Sequence, residues 1–549
     1  TLSSSSAASD VYKRQGHDYE AFQLRMPSPS NTDIVWGTVL ILIVLEASRR
    51  VVGWVMIILS AIFIVLCTFG EYLPSFLYGP SVSWSMMIQV ISMQDWGIFG
   101  IPMGVVTDYL ILFLIFVEFL VETGAADVFV NLAMAIAGQW SGGPAKVSVF
   151  SSALIGTISG SAVANVMADG PFNIPLMKRI GYRADIAGAI EACTSTGGQI
   201  TPPIMGTAAF LMAGFLGISY WDVALSAVIP AIIFYVSLFF FIHFEARKAG
   251  MKGLSKEEKP KLIEVLKYSY AVFVPLILLM IILESGYPAR IAAIAAIMAV
   301  FILSMFRKKT RLTSSRMFTV LEKGANSCIM VGIVCASAGI IIGGFYVSGL
   351  QTQLISFVTQ LSGGSLVIAL FWTAFVSLLL GLAITTTVVY VLVYVFVIPM
   401  LIQLGADPLA AHFFCFWWGV LSTITPPVGM AFYAAASIAQ CDPMRCGWSA
   451  MRIGIILYLL PFAIVFNPAL VLHGTPSQII ITTTSTLIGA LYIACGLSGW
   501  MRYKVGWPGR ILFVAGGLLI FYPETISSLV GGALVAIPTA LQFLRSPES

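Results

Sequence analysis

Charge is scarce in this chain of 549 residues. Asp, Glu, Lys and Arg make up only 10% of it, while 58% is hydrophobic, and the mean hydropathy is +0.94. A soluble domain is about 25% charged, so these residues cannot cover a water-soluble globule with polar groups. The composition excludes a soluble enzyme, a disordered protein and a nucleic-acid binder. The long apolar runs predict an all-α polytopic membrane protein.

Clustered metal ligands and nucleotide motifs are also missing. The eight cysteines form no CxxC pair, the four histidines form no HExxH, and no GxxxxGK[ST] loop occurs. We therefore expect no metal centre, no cofactor, no enzymatic activity and no use of ATP. The cysteines are predicted to be small buried apolar residues.

Three apolar stretches are interrupted by glycine, proline and hydroxyl residues. They are 147–177, with Gly160 near its middle, 184–217, broken at 196–203, and 408–438, broken at 422–427. Proline removes a backbone donor and frees a carbonyl. In hydrocarbon that is tolerated only where the backbone is buried in protein or lines a cavity. The interruptions therefore predict broken helices beside a cavity.

The chain repeats itself. Adding 224 to the residue number aligns Ile174-Pro175 with Ile398-Pro399 and Ile200-Thr201-Pro202-Pro203 with Ile424-Thr425-Pro426-Pro427. The turn after the first Ile-Pro pair carries Lys178 and Arg179, whereas the equivalent turn, 402–407, has no basic residue. By the positive-inside rule the two turns face opposite sides of the membrane. We predict inverted repeats over about 103–243 and 327–472, with two re-entrant hairpins (147–177 and 366–402) and two discontinuous helices.

Inverted repeats with broken helices are typical of secondary transporters, whose sites lie at the membrane midplane. Broken helix ends offer N–H groups to anions and carbonyls to cations. Isolated Ser and Thr residues often only pack helices closely, but clusters beside both Pro-Pro breaks favour ion binding. The predicted substrate- and cation-binding residues are Ser159, Gly160, Ser161, Asn165, Thr196, Gly197, Gln199, Thr201, Pro202, Pro203, Thr385, Thr386, Thr387, Ser422, Thr423, Thr425, Pro426 and Pro427.

Several long motifs occur in the order found in one family. They are GTISGSAVANV (156–166), IPLMKRIGYRADIAGAIEACTSTGGQITPPIMGTAAFLMA (174–213), AHFFCFWWGVLSTITPPVGMAFYAAASIA (411–439) and FNPALVLHG (466–474). In them the chain resembles the large membrane subunit of tripartite ATP-independent periplasmic (TRAP) transporters, and more closely the fused permeases that work with TAXI-type binding proteins. The resemblance implies an elevator-type importer in the bacterial inner membrane. Such a transporter is driven by a cation, with Na⁺ as the coupling ion and H⁺ as an alternative. It takes an organic acid from a TAXI-type periplasmic protein.

The resemblance also divides the chain. Residues 16–95 correspond to the end of a small subunit, 96–475 to the large subunit, and 476–549 to additional C-terminal transmembrane helices, which could brace the scaffold. Residues 1–15 are polar and serine-rich, and we expect them to be foreign to the protein. A fused permease usually has further helices before residue 16, so the natural protein is expected to extend there.

Two departures from the family pattern and two intramembrane acids bear on how transport is coupled. The second hairpin has GLAITTT (381–387) where the family has Leu-Pro, and Asp169 stands where a neutral hydroxyl residue is common. Asp169 and Glu191 are candidate coupling residues, with a water-facing or structural carboxylate as the alternative. The runner-up function is a stand-alone carboxylate symporter that needs no binding protein. An intramembrane protease or a channel has little support.

Overall fold

The computed structural model describes residues 25–74, 78–306, 310–382, 384–522 and 524–544. In these ranges all regular secondary structure is helical, apart from one isolated bridge between Trp500 and Lys504. Seven of the described helices are long and apolar enough to cross a membrane, or nine elements if each of two bent pairs counts as one span. The polytopic all-α architecture is therefore confirmed. Residues 1–15 lie outside the described ranges.

The first copy of the repeat has seven helices, preceded by three others. The preceding helices are α1 (Asn31–Val51), α2 (Trp54–Thr68) and α3 (Trp84–Met93). The first copy consists of α4 (Ile101–Glu122), α5 (Ala125–Ala137), α6 (Gly143–Ser159), α7 (Ala162–Arg179), α8 (Ala184–Thr196), α9 (Thr207–Leu216) and α10 (Tyr220–Lys248).

Two further helices lead to the second copy, which repeats these elements. The connecting helices are α11 (Leu262–Glu284) and α12 (Ala289–Ser304). The second copy consists of α13 (Ser314–Ser348), α14 (Leu350–Leu361), α15 (Leu366–Gly381), α16 (Thr386–Gln403), α17 (Pro408–Leu421), α18 (Met430–Ala439) and the bent pair α19 (Pro443–Ile453) and α20 (Ile455–Phe466). Adding 224 to the bounds of α7 gives the bounds of α16.

Both predicted hairpins and both broken helices are present. Hairpin 1 is α6 and α7, and hairpin 2 is α15 and α16; broken helix 1 is α8 and α9, and broken helix 2 is α17 and α18. Hairpin 1 turns at Gly160, whose φ of +56° suits glycine. The first half of each broken helix packs against the second half of the other, α8 with α18 and α17 with α9. The broken helices are therefore antiparallel, which confirms the inversion.

Two short helices precede the hairpins: α5 falls on the apolar stretch 127–138 of the sequence, whereas α14 was not predicted. Helix α5 begins three residues after Glu122, which pairs with Arg316 and Lys323. It ends at a turn where Gly138 O accepts from Leu254 N, in the charged loop 249–261. Because both ends of α5 lie near basic segments, α5 does not cross the membrane. It runs laterally and connects α4 to α6. Helix α14 is its counterpart and meets α15 at 117°.

The helices form two bodies. The frame consists of α1, α2, α4, α11, α12 and α13, in which α4 packs against α12 and α13, and α13 packs against α1 and α2. The central body consists of the two hairpins, the two broken helices, α10, α19 and α20. Helix α13 begins at Ser314, well before the apolar stretch 327–347, and its first turn includes the end of the basic segment 307–316.

Three C-terminal helices follow: α21 (Pro476–Ser498), α22 (Trp507–Phe521) and α23 (Thr525–Leu544). The apolar stretch 510–535 of the sequence belongs to two helices rather than one. Tyr522 is extended, with ψ of 102°, because the residue before a proline disfavours the helical region. Helix α21 packs against α10 of the central body, and Lys248 Nζ donates to Ser498 O at 2.8 Å.

Candidate functional site

Each hairpin tip touches the break of the broken helix in its own copy. A Cβ atom on Gly156 would lie 2.7 Å from the Cα of Gly198, so hairpin 1 and break 1 meet backbone to backbone. In the second copy, a Cβ atom on Gly381 would clash with the side chain of Ser422. Gly198 and Ser422 are 224 residues apart. The fold therefore uses the same close approach twice.

The two breaks also meet each other. The Thr196 and Thr423 hydroxyls lie 3.3 Å apart and are both buried. The Thr207 hydroxyl, at the start of α9, contacts that of Thr387 in hairpin 2. Both breaks contain a cis Pro-Pro bond, at 202–203 and at 426–427. The predicted residues of the two copies are thus assembled into one region.

A tyrosine fixes the threonine of each Thr-Pro-Pro motif. Thr201 Oγ1 donates to Gly197 O at 2.6 Å and lies 3.2 Å from the Tyr235 hydroxyl. Thr425 Oγ1 donates to Leu421 O at 2.7 Å and lies 2.7 Å from the Tyr458 hydroxyl. The sequence analysis missed both tyrosines because they lie in otherwise plain apolar helices. Their spacing of 223 residues, one short of the repeat offset, was the available signal.

A cavity of about 870 Å³ lies between the frame and the central body. Predicted site residues from both hairpin tips and both breaks form one end of it: Ser159, Gly160, Ser161, Gln199, Thr385, Thr386, Thr387 and Thr423. The frame lines the other end with Val51, Glu118 and Asn326, close to Arg49, Arg50 and Lys323. The remaining predicted residues do not line the cavity: Asn165, Asp169, Glu191, Thr196, Gly197, Thr201, Pro202, Pro203, Ser422, Thr425, Pro426 and Pro427.

Four helices begin at the cavity wall: α7, α9, α16 and α18. In α7 the Ser161 hydroxyl accepts from Ala164 N at 3.3 Å. The other three have no side chain capping their first turn. No Lys or Arg of the described residues lines the cavity. The free N–H groups of these helix starts therefore supply its positive potential.

Oxygen atoms without partners mark the base of hairpin 1's tip. Ser159 Oγ and Asn165 Oδ1 are buried and have no hydrogen-bond partner among the described residues. Both side chains lie beside Gly198, since a Cβ atom there would be 3.4 Å from Ser159 Oγ and 2.8 Å from Asn165 Nδ2. Neutral oxygens are the ligands that hard cations prefer, so these residues fit a Na⁺ ion.

Asp169 and Glu191 are both fully buried and close together: the Thr194 hydroxyl lies 2.8 Å from Ser148 Oγ on the Glu191 side and 3.2 Å from Ser152 Oγ on the Asp169 side. The Ser151 and Ser152 hydroxyls donate to Asp169 Oδ2 at 2.7 and 2.9 Å. Glu191 accepts from Ser148 and Ser195, both at 3.0 Å. Asp169 therefore does not face water, as one alternative supposed. The sequence analysis missed the three serines of α6.

Inverted hairpins and broken helices around one cavity define a membrane permease. The comparisons with known proteins agree. Residues 39–479 match the model of the family described as the tripartite ATP-independent periplasmic transporter, DctM component. The chain belongs to this family. It is a multi-pass inner-membrane transporter subunit and not an enzyme, and permeases of this family work with a periplasmic substrate-binding protein.

Three relatives illustrate the distance within the family. The sialic acid TRAP transporter large permease protein SiaM of Vibrio cholerae is 23% identical over 63% of this chain and 79% of its own length. The C4-dicarboxylate TRAP transporter large permease protein DctM of Pseudomonas aeruginosa is 25% identical over 65% and 83%. The sialic acid TRAP transporter permease protein SiaT of Haemophilus influenzae is 24% identical over 70% of this chain and 63% of its own length.

Proposed function

We propose that this permease imports an organic acid by cation-coupled secondary transport, with Na⁺ as a coupling ion. The single observation that carries the proposal is the cavity whose wall is built from hairpin tips and helix breaks of both copies. Named relatives transport sialic acid and C4-dicarboxylates, both of which are organic acids.

The chemistry of the wall supports an anionic substrate. Three uncapped helix starts, at Thr207, Thr386 and Met430, present N–H groups to the cavity. Helix N-termini bind carboxylates and other anions without a basic side chain. The unpartnered oxygens of Ser159 and Asn165 would hold the cation that accompanies this anion into the site.

We infer an elevator movement of the central body against the frame. The cavity extends from the hairpin tips to the frame end that carries Arg49, Arg50 and Lys323. By the positive-inside rule this end is cytoplasmic, so the structure corresponds to the inward-open state. Helices α5 and α14, which run laterally before each hairpin, would be the connections that change angle.

Uptake by proteoliposomes tests the function. The permease is reconstituted with or without a TAXI-type binding protein, and radiolabelled glutamate, succinate and sialic acid are offered with and without an inward Na⁺ gradient. We expect uptake of one acid that needs both the protein and Na⁺. Uptake with Na⁺ alone would instead establish the stand-alone symporter. If neither gradient nor partner produced uptake of any acid, the proposal would fail.

The matched control for these vesicles is Thr359→Val. The Thr359 hydroxyl lies on α14 and only donates to Ile355 O within its own helix. Its removal leaves the site untouched and should leave uptake unchanged.

A further inference from the structure

One helix face in hairpin 1 carries three polar residues that the fold does not need. Asn165, Asp169 and Asn173 follow one another at intervals of four along α7, so they share a face. All three are fully buried, and each has a side-chain oxygen without a hydrogen-bond partner among the described residues. Buried unpaired acceptors cost free energy, so their presence needs a reason.

The second copy shows that packing is not the reason. Adding 224 to these numbers gives Val389, Val393 and Val397, which are buried on the same face of α16. Glu191 corresponds to Cys415, which is also fully buried. The protein therefore builds the same helix pair once with apolar side chains and once with two acids. Apolar residues are the less costly choice in such a place.

The two acids have no basic partner. No ion pair of the described residues includes Asp169 or Glu191. Two carboxylates in contact cannot both stay ionised in a medium of low dielectric constant. One proton between them removes the repulsion and makes a hydrogen bond, as in carboxyl dyads elsewhere.

We propose that the Asp169–Glu191 pair is a proton-binding site that loads and releases one coupling proton during the transport cycle. The inference rests on the proposed function and adds a second coupling ion to it. A metal ion fits the pair less well. The hydroxyls of Ser148, Ser151, Ser152 and Ser195 donate to the carboxyl oxygens, so their hydrogens rather than their lone pairs face the pair.

Most of the other titratable groups on neighbouring elements have partners of their own. On α6, Lys146 Nζ lies 3.0 Å from His243 Nδ1 of α10 and turns away. Three groups make hydrogen bonds: Tyr235 on α10 with Thr201, Cys193 on α8 with Ala450 O, and Tyr433 on α18 with Pro427 O. On α19, Arg452 pairs with Glu245 and Cys446 lies beside Gly188. The others are Arg445 on α19 and the exposed Asp127 on α5.

Infrared spectroscopy of the purified full chain tests the site without a substrate. A protonated carboxyl group gives a carbonyl stretching band that carboxylates lack. We expect such a band at neutral pH, its loss on alkaline titration, and its shift in D₂O, because the proton must exchange. The band should disappear in Asp169→Asn and in Glu191→Gln, and remain in Asp127→Asn. Absence of the band in the wild type would overturn the proposal, as would a band that neither titrates nor exchanges.

Transport measurements separate this inference from the function on which it rests. Wild-type vesicles are given an inward Na⁺ gradient, an inward proton gradient, or both. We expect the proton gradient to accelerate uptake and both variants to lose that acceleration. If a proton gradient does not change Na⁺-driven uptake by the wild type, proton coupling is refuted and the proposed function stands. No uptake under any gradient would refute the function, and the infrared result would still decide proton binding.

Discussion

The hydroxyls of Thr196 and Thr423 lie 3.3 Å apart, although 227 residues separate them in the chain. Each is the last hydroxyl before a Thr-Pro-Pro turn, one in each copy. Their contact brings the two helix breaks together at one point. Ligand groups from both copies are therefore available to one ion or substrate.

Replacement of Gly156 by alanine should weaken the contact between hairpin 1 and break 1. The new Cβ atom would lie 2.7 Å from Gly198 Cα, and backbone cannot move aside cheaply. We expect Gly156→Ala to lower the free energy of unfolding by about 1–3 kcal/mol and to reduce uptake. Thermal unfolding in detergent measures the first effect.

The control for that variant is Gly332→Ala in α13. A Cβ atom there meets nothing within 4 Å, so the change should be neutral or stabilising by about 0.5–1 kcal/mol. Equal unfolding temperatures for the two variants would contradict the close approach.

Removal of the Thr425 hydroxyl should weaken Na⁺ binding. Thr425→Val breaks the contacts with Leu421 O and with the Tyr458 hydroxyl, so the break loses its fixed shape. We expect the Na⁺ concentration for half-maximal uptake to rise about tenfold, equivalent to ~1.4 kcal/mol. Tyr458→Phe should have a smaller effect in the same direction. A Na⁺ dependence identical to that of Thr359→Val would show that the hydroxyl has no part in coupling.

A negative charge at an uncapped helix start should compete with an anionic substrate. Thr385 precedes α16 at the cavity wall and makes no capping bond. In Thr385→Asp the carboxylate would cap the helix and occupy its positive end, so the KM for the acid should rise about tenfold. Thr313→Asp is the comparison, because the Thr313 side chain already caps α13, and its KM should be that of the wild type.

The proposed inward-open state predicts from which side of the membrane two introduced cysteines react. Ser161→Cys lies exposed at the tip of hairpin 1 in the cavity, and Ser477→Cys lies exposed at the start of α21. A membrane-impermeant maleimide should label the first from the cytoplasmic side and the second from the periplasmic side. Wild-type protein gives the background from its own cysteines. Labelling of both from one side would contradict the assigned orientation.

Much of the fold could be predicted because it depends on local chemistry. Gly160 and the Pro-Pro pairs interrupt helices, and in a membrane such interruptions occur only where the backbone is buried in protein or lines a cavity. The 224-residue offset relates the two copies. The lateral course of helices α5 and α14 could not be predicted in this way. Each is an apolar stretch too short to cross the membrane, and only its neighbours determine its direction.

The site was predictable where residues are adjacent in sequence and not where they meet in space. The hydroxyls around Thr201 and Thr425 stand beside the prolines that reveal them. Asp169 and Glu191 were each noticed, but no pattern links two residues on different helices as a pair. The repeat aligns Asp169 with Val393, and this difference indicates that packing of the helix pair does not require an acid at position 169.

Because α21 is attached to α10, the proposed movement of the central body would depend on the thickness of the lipid bilayer. If the central body slides along the membrane normal, three more helices travel with it, and their apolar flank must remain matched to the hydrocarbon layer. Each ångström of mismatch costs a fraction of a kcal/mol, and the cost grows with the perimeter that moves. Bilayer thickness would then set the balance between outward and inward states, so the same permease would work at different rates in thin and thick lipids.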